Sequence, residues 1–215
     1  MLIKKYPQSC VFIETDSKKI LVDPGQLNSS EEFLDEWKEA DMVLVTHKHF
    51  DHIHPDVLKK LKIPIYSSKE VADAYPELEI NVVARGDALN FYNLKVEVTK
   101  AVHGYIPPFK DGGEVLENIG FIIDDGNTRV YATSDTICFR NDYKADVVLL
   151  PVTAHGLTMS PFEGALFVQE LGAKLVLPIH MDNPKYPTDI VYMRDMFDKE
   201  GLKYKVLEVG DVVEV

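Results

Sequence analysis

The 215-residue chain is 46% hydrophobic and 27% charged, which excludes a disordered, collagenous or coiled-coil protein. At about 150 residues per domain, one domain spanning 1–215 is expected, large enough to bury a core. Acidic residues outnumber basic ones 35 to 23, giving a net charge of -12 that opposes contact with a phosphate backbone, so no nucleic-acid partner is expected. No apolar run approaches the ~20 residues of a membrane helix. The first residues turn polar too early for a secretory signal. Two cysteines, Cys10 and Cys138, cannot form a disulfide scaffold. The expectation is a cytoplasmic protein, with no membrane contact, that acts on a small molecule alone or as a homo-oligomer.

In chain order, residues 10–15 and 18–25 predict a hairpin turning at Asp16-Ser17 and stopped by Pro24-Gly25. Residues 29–40 predict a short helix, although Ser30 is not followed by the glutamate of a capping box. The apolar run 40–47 predicts a strand covered on both faces. Pro55 suits the first turn of a helix ending near Leu61. Residues 94–103 alternate as a strand does, and 119–135 read as two strands around Asp125-Gly126-Asn127. A buried strand at 145–152, a helix from Ser160 to Leu171 closed by Gly172, a strand at 173–180 and a helix from Thr188 to Glu200 complete the pattern. Strand runs give way to strand–helix–strand in both halves. This predicts an α/β protein, a four-layer α/β/β/α sandwich, with a single doubly wound sheet as the alternative.

Residues 46–54 read Thr-His-Lys-His-Phe-Asp-His-Ile-His at the end of the 40–47 strand. Ligand-binding loops gather at such strand ends. His47, His49, Asp51 and His52 supply four imidazole or carboxylate donors within six residues, a set that suits Zn²⁺. His103, Asp135 and His180 each stand at the end of another expected strand. Packing the sheets edge to edge would bring all seven together.

The pattern His47-x-His49-x-Asp51-His52, followed by His103, Asp135 and His180, resembles the metallo-β-lactamase fold superfamily. The likeness runs from Phe12-Ile13-Glu14 and Leu21-Val22-Asp23-Pro24 to Pro178-Ile179-His180. The segment order looks most like a branch of small stand-alone zinc-dependent hydrolases that includes L-ascorbate-6-phosphate lactonase-like proteins. The resemblance implies a four-layer fold and two divalent cations, with Zn²⁺ expected and Mn²⁺ or Fe²⁺ able to substitute. It implies His47, His49 and His103 on the first ion, Asp51, His52 and His180 on the second, and Asp135 between them. Asp51 is expected also to orient the attacking water, and so to be catalytic. Ser134 replaces the glycine usual before the bridging aspartate. His49 stands where di-iron oxygen-reducing relatives typically carry an acid.

Other residues carry weaker expectations. Asp23 is either a support for the metal loop or an ordinary turn residue. His155, just past the 145–152 strand, is a candidate catalytic or substrate-contacting residue. His54 reads as a surface histidine. Residues 104–117, with two prolines, paired glycines and two aromatics, read as a substrate-covering segment. Cys138, Trp37 and the aromatics at 91–92 read as buried. The leading function is hydrolysis of a small polar ester, lactone or phosphoester by a two-metal hydroxide. The alternatives are a phosphodiesterase for a nucleotide or lipid head group, and a non-catalytic metal-binding regulator. The complete ligand set favours an enzyme. Lys110, the only basic residue in 104–117 and 153–160, disfavours a highly charged substrate.

Overall fold

The computed structural model describes residues 1–106, 113–153 and 156–215. The first half supplies strands β1 (Leu2–Lys5), β2 (Val11–Glu14), β3 (Lys19–Val22), β4 (Met42–Leu44), β5 (Ile65–Ser67) and β6 (Ile80–Val82). Its helices are α1 (Leu34–Trp37), α2 (Pro55–Leu61) and α3 (Lys69–Ala74). The second half supplies β7 (Ala88–Phe91), β8 (Leu94–Lys100), β9 (Ile119–Asp124), β10 (Arg129–Ala132), β11 (Val147–Pro151), α4 (Pro161–Leu171), β12 (Leu175–Ile179) and α5 (Ile190–Lys199). The last strand, β13 (Val212–Glu214), returns to pair with β1.

The described strands form two sheets, ordered β13-β1-β2-β3-β4-β5-β6 and β12-β11-β10-β9-β8-β7, so the single-sheet alternative is excluded. Side-chain alternation assigns the layers. Ile20, Val22 and Leu44 face Val96, Phe121, Val130 and Leu149 in the core between the sheets. Leu21 and Val43, one residue out of step, pack outward with Trp37, Val57 and Leu58 of α1 and α2. Val148 and Leu150 likewise pack outward against Phe167 and Val168 of α4 and Phe197 of α5. β4 and β11 are buried along their whole lengths because both faces are covered. The result is the expected α/β/β/α sandwich.

Local chemistry explains where elements begin and end. Ser160 and Glu163 form a capping box at the start of α4, and Gly172 ends it in the left-handed conformation at φ 70°. At 29–40 the expected helix is shorter, a 3₁₀ turn at Glu31–Phe33 followed by the single turn of α1. Trp37 is buried edge-to-face on Tyr6, as expected. Tyr92 is not: it occupies the β7–β8 turn at φ 47° and is 96% exposed, whereas Phe91 packs on Tyr66. Cys138 is exposed as well, since the chain beyond Asp135 runs along the surface, and Cys10 is the buried cysteine.

Strand directions place the candidate donors. β3, β4, β5 and β6 are mutually parallel, as are β10, β11 and β12. β8 is antiparallel to β9, which is antiparallel to β10, so β8 runs with β10. The C-terminal ends of β8, β10 and β12 therefore share one edge of their sheet.

Candidate metal centre

His47, His49, Asp51 and His52 follow β4, while His103, Asp135 and His180 follow β8, β10 and β12. The structure brings all seven together in overlapping groups able to hold a cation: His47 with His49 and His103, His47 with His52 and Asp135, and Asp51 with His52 and His180. His47 Nε2 and His49 Nδ1 lie 3.2 Å apart. Asp135 Oδ2 lies 3.4 Å from His52 Nε2 and 3.3 Å from His180 Nε2, and Asp51 Oδ2 is also 3.3 Å from His180 Nε2.

The backbone around these residues is set by specific contacts. His52 N–H donates to His49 O at 2.9 Å, which turns the loop back on itself. Gly25 is packed so closely beneath this loop that a Cβ there would lie 1.9 Å from Asp51 O. Ile137 N–H donates to Val102 O, and Val102 N–H to Thr136 Oγ1, joining the His103 and Asp135 segments. Ser134 adopts φ 67°, which is why glycine suits this position. The serine hydroxyl offsets the strain by donating to Asn118 Oδ1 at 2.6 Å, and Asn118 Nδ2 in turn donates to Asp135 O. His180, at φ 60°, is fixed by its N–H donating to Gln8 O.

Asp23 proves to be more than a turn residue. Its Oδ1 accepts from Thr46 N–H, and its Oδ2 accepts from the Thr46 hydroxyl and from His52 Nδ1, each at 2.8 Å. That hydrogen bond fixes the ring orientation of His52 and turns Nε2 toward Asp135. His103 is oriented in the same way, Nδ1 donating to Gly104 O at 2.7 Å, and His49 Nε2 donates to Gly113 O at 3.1 Å. Asp23→Ala would strand three buried donors at about 1–3 kcal/mol each. We expect it to lower stability by at least about 3 kcal/mol and metal affinity by about 10–100-fold. Urea unfolding and metal titration of the variant check both.

Electrostatics divide the histidines. Burial holds His47 well below the ordinary imidazole value, helped by the neighbouring His52, His103 and His49. Burial also lowers His103. For His52 burial is outweighed by Asp135 and Asp23, and for His180 by Asp135 and Asp51, so both are raised. Burial likewise opposes ionisation of the carboxylates, yet the close approach of His180 and the charges of His52 and His180 bring Asp51 down to about 2. Asp135 is held well below the carboxylate range by His180 and His52.

Five donor atoms of this cluster are buried without a hydrogen-bond partner: His52 Nε2, His103 Nε2, Asp135 Oδ1 and both ring nitrogens of His180. Buried polar atoms are rarely left unpaired, and imidazole and carboxylate atoms converging in this way fit divalent cations.

Two cavities flank the cluster. One, of about 240 Å³, opens between Leu27, Phe50, Leu157, Lys185 and Tyr186, with Asp51, Asp135 and His180 at its base. The other, of about 100 Å³, lies between His103, Tyr105, Ile106 and Glu114. The described ends of 104–117 are thus at the centre. The later end is tied down, because Glu70 accepts from Leu116 N–H and Glu117 N–H while pairing with Lys48 at 2.7 Å. Residues 107–112 and His155 lie outside the described residues. His54 is half-buried at the N-terminus of α2, not a surface residue, and belongs to none of the metal-holding groups.

This fold and donor set define a class. Residues 2–180 match the family described as a beta-lactamase superfamily domain, and the chain belongs to that superfamily. A UPF0173 metal-dependent hydrolase from Salinibacter ruber is 31% identical over 218 residues, 93% of each chain. Another, from Methanosphaerula palustris, is 27% identical over 219 residues, 96% of each chain. Igni18, a metallo hydrolase from Ignicoccus hospitalis, has the same fold with a TM-score of 0.81 and 25% identity, covering 99% of this chain and 97% of its own.

Proposed function

We propose that the chain is a hydrolase that works with two divalent cations, Zn²⁺ being the best fit to an imidazole-rich centre. The observation that carries this reading is the set of unpartnered, buried donor atoms converging from four strand ends. His47, His49 and His103 hold one cation, and Asp51, His52 and His180 the other. Asp135, grouped with His47 and His52 and 3.3 Å from His180, stands between them. When bound, such a pair makes water acidic near neutral pH and polarises the bond under attack.

The chain's own residues supply the rest. Asp23 and the Gly104 carbonyl fix the ring orientations of His52 and His103. Asp51, ionised and lining the larger cavity, is placed to orient a water toward a substrate there. Leu27, Phe50 and Leu157 exclude bulk water from that side. The Salinibacter and Methanosphaerula relatives, both named metal-dependent hydrolases, support the reaction class. The substrate's reacting group, on this reading, is an ester, lactone or phosphoester in a small molecule.

Elemental analysis of protein reconstituted with Zn²⁺, Mn²⁺ or Fe²⁺ should show close to two ions per chain. The loaded protein should then hydrolyse at least one member of a lactone, thioester and phosphodiester panel. Protein that retains no ion at neutral pH would overturn the reading.

A further inference from the structure

From the larger cavity we infer the substrate class, an inference that rests on the hydrolase reading above: a compact molecule with an apolar body and one anionic group that pairs with Lys185. The cavity holds about 240 Å³, below the ~300–1,000 Å³ typical of drug-sized ligands, so the substrate is small. Its walls away from the metal-ligating residues are largely hydrocarbon and aromatic: Leu27, Phe50, Leu157, Pro184 and Tyr186. Phe50 is 48% exposed and Tyr186 44% exposed, as suits rings that a ligand covers. A sugar-like polyol would leave these surfaces wet and its own hydroxyls poorly matched.

Lys185 is the one basic side chain other than histidine among the described residues lining either cavity, and it forms no ion pair with a described residue. On a protein of net charge -12 an anionic group that lies beyond the reach of the metal centre is repelled unless a local cation meets it, and at that wall of the cavity the cation is Lys185. One lysine answers one negative charge, not the several of a nucleoside polyphosphate.

The segment carrying Lys185 is built to hold it in place. Asn183 Oδ1 accepts from the N–H groups of Lys185 at 3.0 Å and Tyr186 at 3.2 Å. The Asp182 carboxylate accepts from Gln8 N–H, and Thr188 N–H donates to Met181 O, so both ends of the segment are anchored. A wall fixed before binding costs less entropy to engage.

The test compares two probes with the same phenyl body: 3-phenylpropionate, whose single carboxylate stands in for the reacting group at the metal centre, and benzylsuccinate, whose second carboxylate is the anionic group offered to Lys185. Each is titrated calorimetrically into the metal-loaded protein, and the metal content of the same sample is measured. The second carboxylate should improve affinity about fivefold at low salt, the size of an exposed ion pair. That gain should fade at high salt. Lys185→Met should abolish the gain while leaving 3-phenylpropionate binding intact. Phe50→Ala should weaken both probes. The inference is overturned if the gain survives in Lys185→Met, if it is absent from the parent, or if a fully metal-loaded parent binds neither probe. A parent that holds no metal instead defeats the hydrolase reading.

Discussion

Asp135→Ala is expected to abolish turnover and strip the centre of most of its metal, whereas His54→Ala retains both. The Asp135 carboxylate is buried, with Oδ2 within 3.4 Å of two imidazoles that are themselves buried. Removing it leaves their positive charge, or that of any cation they hold, without a counter-charge. Breaking a buried pair in this way typically costs about 3–5 kcal/mol. Asp135→Asn keeps the shape and removes the charge, so it separates electrostatics from packing and should fail almost as completely. His54 makes no side-chain capping bond at the start of α2 and stands outside the donor groups. Metal-to-protein ratio and hydrolysis rate, measured side by side, decide the matter. An active, metal-replete Asp135→Ala protein would refute the assignment.

Gly25→Ala is the second large expected effect, although Gly25 ligates nothing. An added Cβ would lie 1.9 Å from Asp51 O and 2.2 Å from the Asp51 carbonyl carbon. Both are backbone atoms, so relief requires moving the turn that carries Asp51 and His52. That turn is held from the other side by Gln26 N–H donating to Phe50 O at 2.7 Å. Overpacking of this kind costs about 1–3 kcal/mol, or more where the neighbour is rigid. The variant should therefore melt earlier and, of the two cations proposed above, lose the one assigned to Asp51, His52 and His180 before the one assigned to His47, His49 and His103. Metal titration beside a melting curve reads this out, and unchanged stoichiometry would mean that the turn yields more easily than its contacts imply.

The donor set was legible because it is written mostly in one place. Four donors within six residues leave the chain few ways to avoid bringing them together, and the remaining three stand at the ends of apolar runs long enough to read as strands. The same holds for α2, which Pro55 opens, and for α4, which Pro161 opens and Gly172 closes. The short pairings were hidden. β5, β6 and β13 have three residues each, too few to display a period, and they exist because neighbouring strands offer an open edge. Tyr92 was misread because turn geometry at φ 47° outranks hydrophobicity. Lys185 and Tyr186 escaped notice for a different reason. They follow His180 by five and six positions, and that proximity was the available signal, but Asn183-Pro184 reads as an ordinary turn.

The donors also straddle the seam between the sheets. His47, His49, Asp51 and His52 belong to the sheet containing β4, while His103, Asp135 and His180 belong to the other. Cations held from both sides, as proposed above, would act as a clasp across the sandwich. Whatever binds only the folded chain stabilises it in proportion to RT ln(1 + [ligand]/Kd), about 2.7 kcal/mol at one hundred times Kd. Cohesion of the two halves would then become a function of metal supply, and scarcity would thin the folded population as well as silence it.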